Sequence, residues 1–223
     1  MRHISILPIL SLHLLAILIP MALGWGLDDL PAFFAVPARA GLILLITLGA
    51  IATLILRIDL NPLRSSPANR SKESWALAAM AAASILLLGF LPWADRNRIL
   101  QIPRESVRSF GLLLCCAGGV IRILALRQLG PQFSAYVTLQ PDHQLIQTGL
   151  YSRIRHPLYL SLLLAGPGVT MVFASQLVWP ILAMTIAFIA NRIKVEETLL
   201  AKTFSDSFLV YRHRTSSLLP FVL

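Results

Sequence analysis

An all-α integral membrane protein with about six transmembrane helices is the fold class that this sequence predicts. Three observations predict it. Of 223 residues, 57% are hydrophobic and only 13% charged, whereas charged residues make up about a quarter of an ordinary soluble domain. A soluble core of this size cannot hide so much apolar surface. The charges are also clustered, so long stretches carry none and suit a bilayer. Finally, the last apolar stretch is too long for one span and reads as two helices folded back on each other.

The elements follow in order. Ile4 to Leu23 carries no charge and is long enough to span. Its length favours a retained helix over a signal peptide, although Ala22-Leu23-Gly24 could mimic a cleavage site. Ala40 to Leu56 is the second run. Ser74 to Trp93 is the third, ending in Leu91-Pro92-Trp93, an interfacial anchor. Ser109 to Leu126 is the fourth; Gly111, Ala117, Gly118 and Gly119 there invite close approach of a neighbour. Leu158 to Asn191 supplies the fifth and sixth, turning near Ser175-Gln176. Each arm is about 15 residues, roughly 22 Å, and the second continues through Arg192 to Glu197. Residues 1–108 are expected to form three N-terminal spans, and residues 109–223 a functional core.

The formal net charge of +9 would suggest nucleic acid on a soluble protein. Here Lys and Arg sit between apolar runs, so topology and anionic headgroups account for them and no nucleic-acid partner is expected. Counting Lys and Arg per side puts both termini in the cytoplasm. One loop disagrees: Arg96, Arg98, Arg104 and Arg108 fall on the far side. Cys115 and Cys116 are adjacent within an apolar run, a spacing that suits neither a disulfide nor a zinc or redox site. They read as packing residues.

Chemistry is concentrated after Arg127. A polar connection, Arg127 to His156, carries Asp142-His143-Gln144-Leu145-Ile146, Thr148-Gly149-Leu150-Tyr151 and Arg153-Ile154-Arg155-His156-Pro157-Leu158-Tyr159. Pro157 fits the first turn of a helix, where its missing N–H costs nothing. His156 then lies at the helix start, with Tyr159 on nearly the same face. The hairpin returns the chain to its starting side, so His156 and Tyr159 should lie near Arg192 and Glu196. Arg192 and Glu196, at i and i+4, share one side of a helix. An Arg and a carboxylate facing a His and two Tyr at a membrane surface make a polar pocket on an apolar scaffold.

This ordered set resembles the isoprenylcysteine carboxyl methyltransferase family over roughly residues 120 to 221, and is read as the bacterial or archaeal type of that family. The matching elements are His143-Gln144-Leu145-Ile146, Gly149-Leu150-Tyr151, Arg155-His156-Pro157-Leu158-Tyr159, Glu196-Glu197, Phe204, Tyr211 and Leu219-Pro220. Ser205 departs from the family's usual Gly after the Phe, and Ser207-Phe208 from a usual Glu-Tyr. The resemblance implies an S-adenosylmethionine site near the cytosolic surface. Its contacts would come from Tyr136, His143, Leu145, Ile146, Tyr151, His156, Tyr159 and Glu196; of these, Tyr136 matches by position only. Arg192 matches the family's substrate-carboxylate contact, and Arg192 with Glu196 would carry catalysis.

The implied reaction is carboxyl O-methylation of a lipophilic, isoprenylcysteine-like acid that arrives from the bilayer among membrane lipids. A carboxylate is ionised at neutral pH and needs no general base, and Arg192 can hold it bidentately. No cluster of metal ligands is visible. Two rivals share the architecture: a phospholipid N-methyltransferase, whose amine acceptor must lose a proton, and a sterol-reductase-like oxidoreductase that binds NADPH. A transporter would place charged groups or broken helices along a midplane path, and only Gly166-Pro167-Gly168 hints at one.

Overall fold

The computed structural model describes residues 6–56, 70–102, 104–133 and 144–218. Seven α-helices account for most of them: α1 (Ile6–Trp25), α2 (Leu30–Phe34), α3 (Pro37–Ile55), α4 (Arg70–Arg96), α5 (Glu105–Leu129), α6 (Pro157–Val172) and α7 (Val178–Arg214). Prolines set two starts. Pro37 follows extended Val36, and Pro157 follows His156, each in the first turn where no N–H is missed. Gly130, with φ of 49°, ends α5, a backbone state that costs glycine little.

The long helices stand in a row, α4–α1–α3–α5–α6–α7, each touching the next. Small residues let the chain come close at two seams. A Cβ on Gly24 of α1 would lie 1.9 Å from the Gly89 carbonyl oxygen of α4. Between α5 and α6, a Cβ on Gly111 would lie 2.6 Å from the Gly168 oxygen, and one on Gly118 would lie 2.8 Å from the Ser161 oxygen. Without a hydrophobic force between helices in lipid, such backbone proximity is what holds them. Gly119 and Ala117 are not part of this seam: Gly119 faces Leu45 at ordinary contact distance, and Ala117 is exposed. Cys115 is buried and Cys116 half-buried, and both are free thiols.

Among the described residues the expected apolar runs fall almost wholly in helices, but the expectation of six spans is overturned. Among the described residues, three helices are long and apolar enough to cross a membrane: α3, α5 and α7. A fourth results if the bent pair Leu10–Trp25 and Leu27–Phe34, at 79°, counts as one broken or re-entrant span. The reason is length. α6 has 16 residues, about 24 Å at 1.5 Å per residue, against a hydrocarbon core of about 30 Å. The chain leaves α1 at Gly26, whose φ of 99° turns it away from the helix axis. In α4, the side chains of residues 70–80 lie outside the described set. The protein is a multi-pass integral membrane protein with fewer crossings than its apolar runs suggest.

The row has two polar ends. At one, Trp25, Arg39, Asp95, Arg108 and Val172 meet. Asp95 accepts from Arg39 at 3.2 Å, from both Arg108 terminal nitrogens at 2.7 Å and from Gln101 at 2.7 Å. Arg108 also donates to the Val172 carbonyl at 2.9 Å, and the Arg39 guanidinium lies 4.3 Å from the Trp25 ring centre. Nearby, Arg96 forms a bidentate pair with Asp28 at 2.8 and 2.6 Å. Two of the four arginines that disagreed with the charge-counting topology, Arg96 and Arg108, are therefore neutralised by carboxylates. The turn between α6 and α7 packs here against the α4–α5 loop, with Ile102 N–H bonded to Ala174 O and Gln176 N–H to Leu100 O, each at 2.7 Å. The other end gathers His156, Tyr159, Arg192 and Glu196.

Candidate active site

The fold-back of α6 and α7 brings the expected residues together. The Tyr159 hydroxyl donates to Glu196 Oε2 at 2.7 Å, although 37 residues separate them. Arg192 lies against the same hydroxyl. His156 is 4% exposed; its Nδ1 stands 3.9 Å from Glu196 Oε2 and its Nε2 3.2 Å from Glu197 Oε1. The His156 and Tyr159 rings are stacked obliquely, with centroids 5.6 Å apart.

Tyr151 enters from the other side. It sits in the one-turn 3-10 segment Gly149–Ser152, seated on α5 through Gln128, whose side-chain oxygen accepts from the Leu150 N–H at 2.8 Å. Gly149 adopts φ of 61°, and a Cβ there would strike the Gln128 amide at 2.3 Å. Tyr151 is buried, and its carbonyl accepts from the Tyr211 hydroxyl at 2.7 Å. Burial first, then the nearby Glu196 charge, raises the Tyr151 pKa, so its hydroxyl stays a donor at any physiological pH. Leu145 and Ile146 are half-buried in an irregular segment. Tyr136 and His143 lie outside the described residues.

Residues that sequence reasoning passed over complete the site. Glu197, matched in the resemblance only as the neighbour of Glu196 and given no role there, accepts from Arg155 Nε at 2.8 Å and faces His156 Nε2. Burial raises its carboxyl pKa, but the hydrogen bonds to His156 and Arg155 outweigh that and hold it at about 2. Arg155, read as a membrane anchor, is instead 8% exposed in its side chain and bonds the Arg212 carbonyl at 3.1 Å and the Thr215 carbonyl. No periodicity marks either role. The adjacency of two acids on a helix, opposite an Arg-His pair, is the only sequence signal.

A carboxylate, tyrosine hydroxyls and an arginine gathered at one end of an apolar helical bundle make a polar site on an integral membrane protein. Residues 111–202 match the family model described as "Isoprenylcysteine carboxyl methyltransferase (ICMT) family". The chain is 32% identical over 157 residues to protein-S-isoprenylcysteine O-methyltransferase of Saccharomyces cerevisiae, covering 69% of this chain and 66% of that protein. It is 28% identical over 166 residues to the protein of the same name from Schizosaccharomyces pombe, covering 69% and 70%. With the Rattus norvegicus protein of that name, identity is 28% over 157 residues, and the alignment spans 53% of the relative. A solved structure of the eukaryotic intramembrane Ras methyltransferase ICMT superposes with TM-score 0.59 at 19% identity, covering 96% of this chain and 76% of that one; it shows a shared fold. These relatives come from yeasts and a rodent, and further ones from a beetle and plants. The reading as a bacterial or archaeal type is therefore corrected: the similarity runs to eukaryotic members.

Proposed function

We propose that the His156 end binds S-adenosylmethionine and promotes methyl transfer to the carboxylate of an isoprenylcysteine-like molecule reached from the bilayer. The enzyme is an S-adenosylmethionine-dependent methyltransferase of the isoprenylcysteine carboxyl methyltransferase type, and its acceptor is lipophilic. The observation that carries the site assignment is the Tyr159–Glu196 bond at 2.7 Å with Arg192 beside it.

The donor set fits the cofactor. Glu196 uses one oxygen on Tyr159, and its side chain is 36% exposed; a carboxylate offers about four lone-pair sites, so it retains capacity for an amino or ribose group. The Tyr151 and Tyr159 rings can face a sulfonium, a cation–π contact. Leu145 and Ile146 would supply apolar walls, with Tyr136 and His143 assigned by resemblance. His156 holds its ring between the two glutamates and orients the Tyr159–Glu196 pair. When bound, the cofactor supplies a methyl group already activated on sulfur. Arg192 holds the acceptor carboxylate and, with Glu196, aligns it, so catalysis is mainly positioning.

On this reading the end that carries His156 faces the cytosol. Arg153, Arg155, Arg192, Lys194, Lys202, Arg212 and Arg214 all lie at that end of the chain's helices, as the inside-positive rule requires. An amine acceptor would need a base within its reach; His156 is buried, with Nε2 on Glu197, which favours the carboxylate.

Thermal stabilisation of the purified protein by S-adenosylmethionine and none by NADPH is expected, since a ligand that binds only the folded form raises stability. The reverse result eliminates the assignment. Glu196→Ala should weaken cofactor binding by about 10- to 100-fold, the worth of a charged hydrogen bond. Arg192→Ala should chiefly lower methyl-ester turnover. Equal, mild effects of both substitutions on both readouts would refute the assigned roles.

A further inference from the structure

α7 is one helix by hydrogen bonding but two limbs by geometry. Ser205 adopts φ of 44° and ψ of −119°, a state that L residues other than glycine rarely enter. The backbone turns there, and the second limb runs back onto the site. Phe208 and Tyr211 of that limb are 1% and 4% exposed, and Tyr211 bonds the Tyr151 carbonyl. The chain then continues as a short strap. Ile154 and Ser216 form a parallel bridge. Arg155 N–H bonds Ser216 O at 2.9 Å, His156 N–H bonds Ser217 O at 3.1 Å, and Ser216 N–H bonds Arg153 O at 3.0 Å.

One side chain ties all of this together. The Arg155 guanidinium holds Glu197 in the first limb, before the bend, and the Arg212 and Thr215 carbonyls beyond it. Arg212 returns toward Glu197, with Nε 3.7 Å from Oε2, but its side chain is 58% exposed, so it adds little. Among the described residues, the Arg155 side chain reaches both sides of the bend from a buried position, and His156 beside it does so with its ring on Glu197 and its backbone N–H on Ser217 O. A planar fork with five donors can do this; an ammonium on a flexible stem cannot reproduce it.

We infer that Arg155 is a latch: by joining Glu197 to the Arg212–Thr215 turn across the Ser205 bend, it keeps the C-terminal limb closed over Tyr151 and His156 and thereby sets how long the cofactor stays. This rests on the cofactor site proposed above. Arg155 is a positioning residue. It acts through the strap and through Glu197, which in turn holds His156.

The test uses the full chain in nanodiscs. Arg155→Lys keeps the charge and loses the fork. In the protein without cofactor, backbone amide exchange over residues 206–218 should accelerate at least tenfold, while exchange in residues 180–190 stays as in the wild type. Dissociation of S-adenosylhomocysteine, the product form of the cofactor, should also accelerate at least tenfold, a larger change than in kcat at saturating cofactor. Unchanged exchange over 206–218 overturns the latch. So does faster exchange with an unchanged S-adenosylhomocysteine off-rate, which would make the strap structural only, and so does a uniform rise in exchange along all of α7. Failure of the wild type to bind S-adenosylhomocysteine sinks the cofactor reading instead, and with it the latch's role in residence. The exchange result then still decides whether Arg155 holds the limb.

Discussion

Both ends of the bundle bury charge, and they use it differently. At the Asp95 end, one carboxylate is consumed by two guanidiniums and an amide; its side chain is 2% exposed, and α3, α4, α5 and the end of α6 all converge on it. At the His156 end, two adjacent carboxylates divide the work. Glu197, 14% exposed, is taken up by Arg155 and His156, whereas Glu196, 36% exposed, accepts from Tyr159, has His156 Nδ1 3.9 Å away and stays more open to solvent. Saturated charges fix helices to each other. On the proposed reading, the more open carboxylate is the place for a ligand, and the second glutamate keeps the first in position. That reading separates a structural ion cluster from a functional one with no appeal to burial alone.

The largest expected effect comes from breaking the saturated end. Asp95→Ala removes the only carboxylate that reaches both Arg39 and Arg108 among the described residues, leaving the buried Arg39 without its carboxylate and Arg108 with the exposed Glu105. Removing one partner of such a cluster costs about 3–5 kcal/mol. The variant should unfold at much lower temperature in detergent, and cofactor affinity in whatever fraction stays folded should be near normal. A thermal midpoint equal to the wild type's would show that the cluster holds nothing.

Why this end escaped the sequence reading is instructive. Arg96 and Arg108 looked like topology charges because their carboxylate partners lie in other elements, Asp28 at 68 residues and Asp95 at 13 residues, and no periodicity encodes such pairings. The apolar runs and the turn near Ser175 were legible, since both depend on local composition. So was the meeting of Tyr159 with Glu196, because a hairpin of two apolar arms has to return to its starting side. The number of crossings was not, because it depends on helix length against bilayer thickness and on a bend at Gly26. Nor was the division between Glu196 and Glu197, since adjacent residues on a helix point about 100° apart and the sequence does not say which faces the pocket.

A smaller, pH-dependent effect sharpens the functional end. Glu197 has a folded pKa of about 2 against an ordinary value of 4.5. A carboxyl with a depressed folded pKa contributes stability that is complete above its unfolded pKa and is lost as pH falls through the folded one. Stability should therefore decline between about pH 4.5 and pH 2, and Glu197→Gln should flatten that decline while leaving any fall from other carboxylates. An identical acid profile in the variant would show that Glu197 is not the held carboxylate.

The smallest effect is a gain. Ser205 stands where the family that the sequence resembles usually has glycine, and the bend explains that preference: the φ of 44° at this position is open to glycine and strained for a residue with a Cβ. A non-glycine residue held there costs about 1–2 kcal/mol, and glycine returns part of that as lost chain entropy. Ser205→Gly should therefore stabilise the folded state by about 1 kcal/mol and raise the thermal midpoint by a few degrees. Because Arg155 still spans the bend, amide exchange over the C-terminal limb should not increase. A substitution that left stability unchanged and loosened the limb would mean that the bend is held by serine itself, and that the two ends differ less in their reliance on buried charge than their geometry indicates.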